Sequence, residues 1–237
     1  MDTYRWSVAV HVGAGVIALV AFWIAAFMRK GSPRHRLTGR IYLVAMLGVI
    51  GSGVPLTLAL IERGRLAGAM FLGFLLLLTT TGCLNALRAI RQRGSRQLYF
   101  GALFWILAAL NAVAGIAIVA LGVKTGSVLL QVFGGIGVFM LVNSLLRWRN
   151  ARKDPIWWLR EHYGAMIGNG VATHIAFFSI GLRNAFPNLD PAIMQHFAWF
   201  GPLVAAFIAA AWLGRRYGRQ APRIAPSRAE AARAPAA

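Results

Sequence analysis

Five histidines are the side chains in this sequence best equipped for chemistry, and each stands on or beside a long apolar stretch. His11 lies five residues into the first stretch, His174 eight residues before the end of the sixth, and His196 opens the seventh. At 1.5 Å of rise per residue, these positions fall within about 12 Å of one end of the helices that such stretches imply. His35 and His162 lie at the other end, beside the starts of the second and sixth stretches. The spacing therefore predicts an inner pair and an outer trio of imidazoles. Neutral imidazole binds a metal through one ring nitrogen while the other donates to a carbonyl, an amide or water. Two layers of this kind are what an electron-transfer or quinone-linked redox subunit with two bis-histidine b-type haems would need. His11 with His174 or His196 would hold the outer haem and His35 with His162 the inner one. Arg36 and Arg40 would pair with propionates, and Tyr42 shares the helical stripe of His35 and Gly39.

Two other uses of the same side chains stay open. His11, His174 and His196 could form a mononuclear site for zinc or another divalent metal with a free position for water. That would suit a lipid hydrolase, with Asp190 the nearest acid. Alternatively the histidines only anchor helices, and the protein is a channel, small-molecule carrier or sensor whose cavity is shaped by a kink at Pro55.

Other chemistries lack parts. The six acids, Asp2, Glu62, Asp154, Glu161, Asp190 and Glu230, fall in connections, at helix ends or in the tail. Ion-coupled carriers generally need a carboxylate inside the membrane, so they are disfavoured. Lys30, Lys124 and Lys153 all sit in connections, which removes a retinal Schiff base. Cys83 is alone, excluding an internal disulfide or thiolate cluster. No zincin, nucleophile-elbow or phosphate-loop motif occurs.

The elements that position the histidines follow from composition. Of 237 residues, 58% are apolar and 13% charged, and the mean hydropathy is +0.62. These values fit an integral membrane chain and leave no room for a soluble catalytic domain. With about 20 residues per span, seven spans are expected, near 6–28, 42–61, 66–87, 98–121, 127–146, 162–182 and 193–213. The first is too long for a signal peptide and reads as a retained helix. Ser32-Pro33 and Asp154-Pro155 resemble helix starts that carry the second and sixth helices beyond the lipid.

The net charge of +19 is dealt out in alternate connections rather than gathered into a nucleic-acid-binding patch. Arg29, Lys30, Arg34, Arg36 and Arg40 follow the first span, and Arg88, Arg91, Arg93 and Arg96 the third. Arg147, Arg149, Arg152, Lys153 and Arg160 follow the fifth, and six more arginines follow the seventh. The alternate side keeps only Arg5, Arg63, Arg65, Lys124 and Arg183. The positive-inside rule then predicts an all-α bundle of seven transmembrane helices, N-terminus outside and C-terminus cytoplasmic. Residues 1–213 form the transmembrane domain, and 214–237 read as a disordered basic tail. The expected partners are the bilayer and its anionic phospholipids, with self-association and partner subunits left open.

The run His11-x3-Gly15-x2-Ala18-Leu19, then Lys30-Gly31, then His35-Arg36-x2-Gly39-Arg40-x-Tyr42 resembles a family of uncharacterised bacterial multi-pass membrane proteins. The likeness covers about the first forty residues. Members of that family carry a further His before Trp-Met at a cytoplasmic helix start after the third span. Here 91–99 has no His, and the nearest counterpart is Trp158-x3-His162-x3-Met166. The resemblance implies a bacterial inner-membrane protein and a site drawn from His11, His35, Arg36, Gly39, Arg40, Tyr42 and His162.

Overall fold

The computed structural model describes residues 2–218, with side chains at 4–179 and 186–217. Every regular element among them is a helix: α1 (Asp2–Phe27), α2 (Pro33–Glu62), α3 (Leu66–Arg91), the single turn α4 (Arg96–Tyr99), α5 (Ala102–Thr125), α6 (Val128–Asn150), α7 (Trp157–Ala185) and α8 (Pro191–Gly218). Short connections make successive long helices antiparallel, so the arginine-rich connections share one end of the bundle with the end of α8. That end is called the basic end below.

Six of the helical stretches are long and apolar enough to cross a membrane: α1, α2, α3, α4–α5 taken together, α6 and α8. The remaining long helix, α7, carries Glu161, His162, Asn169, Thr173 and His174. The surface confirms the membrane class. Trp6, Phe27, Val44 and Phe207 are each more than two-thirds exposed. Large apolar side chains exposed in such number suit contact with lipid rather than water.

Local sequence explains the boundaries. Ser32 caps α2, its hydroxyl accepting from the His35 N–H at 3.2 Å with Pro33 in the first turn, as the sequence predicts. Asp154 accepts from the Ile156 N–H at 3.0 Å, but α7 begins only at Trp157. The expected fourth span is interrupted at Phe100 and Gly101, where α4 ends and α5 begins. Both α2 and α8 continue through their prolines, Pro55 and Pro202. Helix α8 also continues past Leu213 to Gly218, so the start of the expected tail is helical. Residues 219–237, the remainder of that expected tail, lie outside the described residues.

Packing is pairwise. Ala18 and Ala21 of α1 meet Tyr42, Ala45 and Met46 of α2 in one buried cluster. Small side chains there bring the helices close, which is how membrane helices gain dispersion contacts in the absence of a hydrophobic drive. Helices α5 and α6 approach more closely still. A Cβ added at Gly115 would stand 2.5 Å from the Gly134 carbonyl, and one added at Gly134 would stand 2.6 Å from that of Gly115. Helix α3 lies between α2, α5 and α7. Away from the basic end, Phe74, Ile118, Leu130, Phe133 and Ile175 form a further cluster that takes in Trp199 of α8.

Candidate functional site

At the basic end, His35 and His162 adopt the same arrangement from different helices. His35 Nδ1 lies 3.1 Å from the Ala25 carbonyl of α1, and His162 Nδ1 lies 3.0 Å from the Ala86 carbonyl of α3. A carbonyl can only accept, so each Nδ1 carries the proton and each Nε2 is left as a lone pair. Neither Nε2 has a hydrogen-bond partner among the described residues. The two rings stand within electrostatic reach of each other and of Lys30. A backbone carbonyl behind one ring nitrogen and a free second nitrogen is the arrangement that orients ligating histidines. His35 and His162, expected as an inner pair, thus lie at the same end of the bundle.

The cation beside this pair is one the site reading passed over. Lys30 caps the end of α1, donating to the Ala25 and Ala26 carbonyls at 3.0 and 2.6 Å. Partial burial and, second, the Arg216 guanidinium hold its ammonium below the ordinary lysine value. Arg36 and Arg40, expected to serve this layer, are exposed. Tyr42 is fully buried against Phe22, two turns along α2 from His35.

The expected outer trio does not form. His11 Nδ1 lies 3.1 Å from both the Val49 carbonyl and the Ser52 hydroxyl, fastening α1 to α2. His174 has both nitrogens engaged: Nδ1 donates to the Gly170 carbonyl at 2.7 Å, and Nε2 accepts from the Trp23 indole at 2.8 Å. Trp23 lies more than three helical turns beyond His11 on α1, about 18 Å of rise. The depth expected for His174 is thus corrected. Helix α7 runs to Ala185, which puts His174 eleven residues from its end, near mid-helix. His196 is exposed, with Nδ1 2.6 Å from the carbonyl of Ala192. Asp190, the acid considered as a base, instead caps α8 by accepting from the Ala192 and Ile193 N–H groups at 2.7 and 3.2 Å. No three His, Cys, Asp or Glu side chains converge among the described residues. Gly170, too, makes room for a neighbour: an added Cβ would stand 2.6 Å from the Phe22 ring.

Beside His162 lies a polar cluster that the sequence reading missed. Glu161 is 3% exposed, and its Oε2 accepts from the Tyr99 hydroxyl at 2.8 Å and from Arg147 Nη1 at 2.9 Å. Arg147 also donates to the Ser144 hydroxyl at 3.2 Å. Aromatic rings enclose it, with Tyr99, Phe100, Phe104 and Trp157 packed together. The available signal was an acid directly before His162 in a chain with few acids. A second polar seam joins α3 to α7, where the Asn169 amide donates to Cys83 Sγ at 3.2 Å.

No family model, no curated protein and no solved structure matches the chain. The functional reading therefore stands on geometry.

Proposed function

We propose that this protein crosses the bacterial cytoplasmic membrane seven times, with α7 as the seventh span and the basic end in the cytoplasm. We propose further that it acts as an electron-transfer subunit holding a b-type haem between His35 and His162. One observation carries the reading: on two helices, Nδ1 is spent on a neighbouring helix's carbonyl while Nε2 is free, at one end of the bundle. Bound haem would supply one-electron chemistry. The chain's own residues would fix the tautomer and direction of both imidazoles through the Ala25 and Ala86 carbonyls. Gly39, one turn beyond His35, leaves space beside it, since an added Cβ would meet nothing within 4 Å. The outer haem of the sequence expectation is dropped, because His11, His174 and His196 have separate partners.

The test is a dithionite-reduced minus oxidised absorption spectrum of the detergent-purified protein, with haem quantified per chain. A b-type α band at one haem per chain is expected. His35→Ala and His162→Ala should abolish it, while His11→Ala and His196→Ala keep it. A colourless preparation from haem-supplemented cells, or a band that survives both inner substitutions, would overturn the proposal.

A further inference from the structure

A cleft of about 1080 Å³ runs along the flank of the bundle between α1, α7 and α8. Phe22 and Trp23 form one wall, Val171 and Phe178 another, and on α8 small residues such as Ala205 and Ala209 leave the slot deep. Along α7 it extends from Ile167 to Phe178, about 16 Å of rise. Along α8 it runs further, from Phe197 to Tyr217, about 30 Å of rise, which is ample length for an acyl chain of one leaflet, roughly half of a 30 Å hydrocarbon core. Its volume lies just above the range for ligand pockets, about 300–1,000 Å³, so the space suits an extended apolar body better than an ion.

The charge is confined to one mouth. Arg29, Lys30 and Arg216 line the cleft at its basic end. Lys30 is held by the α1 carbonyls, and the Arg216 guanidinium lies over the Trp212 ring at 5.1 Å from its centroid. Lys30 and Arg216 are close enough to feel each other's charge. No carboxylate offsets them among the described residues, where the two ion pairs are Arg147–Glu161 and Arg160–Asp154. Like charges gathered at the end of an apolar slot favour an anion attached to a hydrocarbon chain. Basic pockets between helices at a cytoplasmic face are suited to acidic headgroups.

We infer that this cleft is a binding site for one anionic phospholipid of the leaflet at the basic end. Its phosphate sits among Arg29, Lys30 and Arg216, and an acyl chain lies along Trp23, Val171 and Ala205. The inference rests on the proposed cytoplasmic placement of the basic end but not on haem, and its test reads lipid alone.

The experiment is native mass spectrometry of the full chain in detergent, titrated separately with phosphatidylglycerol and phosphatidylcholine of identical chains. One phosphatidylglycerol should be retained with an apparent affinity about tenfold or more above that of phosphatidylcholine. Lys30→Gln with Arg216→Gln should remove the preference, whereas Arg91→Gln with Arg93→Gln, on a different basic connection, should keep it. Ala205→Trp, which fills the slot but leaves the cations, should weaken retention of both lipids. It also provides the decisive variant if the double substitution fails to fold. Equal retention of the two lipids by the native chain would overturn the inference, as would unchanged retention in Ala205→Trp. Full displacement by inorganic phosphate would also overturn it, by showing a site for a free anion.

Discussion

Glu161 and Arg147 share one short ion pair but stand to lose different amounts when it breaks. Glu161 is 3% exposed and Arg147 29%. Replacing Arg147 by Met strands a carboxylate away from water, at a cost of about 3 kcal/mol or more. Replacing Glu161 by Gln leaves a guanidinium that is partly exposed to water and keeps an acceptor for Tyr99, so the loss should be nearer 1 kcal/mol. Thermal unfolding in detergent should therefore rank Arg147→Met well below Glu161→Gln; equal losses would mean that the enclosure of Glu161 contributes little. The same pair shows where residue-level reading of the sequence stops. Position along a helix gives approximate depth, which is why spacing puts His35 and His162 at one end. It gives no azimuth and no account of side-chain reach. The Trp23 indole meeting His174, and Tyr99 turning its hydroxyl onto Glu161 from 62 residues away, leave no trace in spacing.

Helices α5 and α6 owe their close approach to glycine on both sides, and not every glycine in the pair has that role. Gly115→Ala would press a methyl against the Gly134 carbonyl and force the helices apart, whereas an added Cβ at Gly135 meets nothing within 4 Å. Gly115→Ala should lower the thermal midpoint. Gly135→Ala should leave it unchanged or raise it through helix propensity worth about 1 kcal/mol at most. Comparing the two melts separates packing from propensity, and a neutral Gly115→Ala would mean the contact is slack. Element positions were the most legible feature of the sequence, because hydropathy and charge alternate sharply. The break between α4 and α5 was not legible, since it falls inside an apolar run and depends on Ser95 capping one turn and on Gly101 preceding the next helix. Nor did the sequence show which glycines face a neighbour, which again is a matter of azimuth.

For the molecule as a whole, the proposed orientation makes an all-or-none prediction. In a Cys83→Ser background, Lys124→Cys should react with a membrane-impermeant maleimide in intact cells, while Arg93→Cys should react only after the membrane is opened. Both positions are exposed and lie at opposite ends of the bundle. The reverse labelling pattern would invert the topology and place the histidine pair and the cationic mouth on the outside. The sequence predicted this arrangement through the sidedness of its arginines, a property of the chain as a whole that does not depend on any one contact.

The seam between α3 and α7 has a consequence in time. His162 meets Ala86 across 76 residues and Asn169 meets Cys83 across 86. Hairpins such as α1–α2 and α5–α6, by contrast, join neighbours in sequence. At about 5–20 residues per second of synthesis, α3 must wait roughly 4–17 s for its polar partners to emerge. During that interval a half-made protein rests in the bilayer with Cys83 and the Ala86 carbonyl without their α7 partners. Quality-control factors that survey nascent membrane chains would find an opportunity there, before α7 arrives.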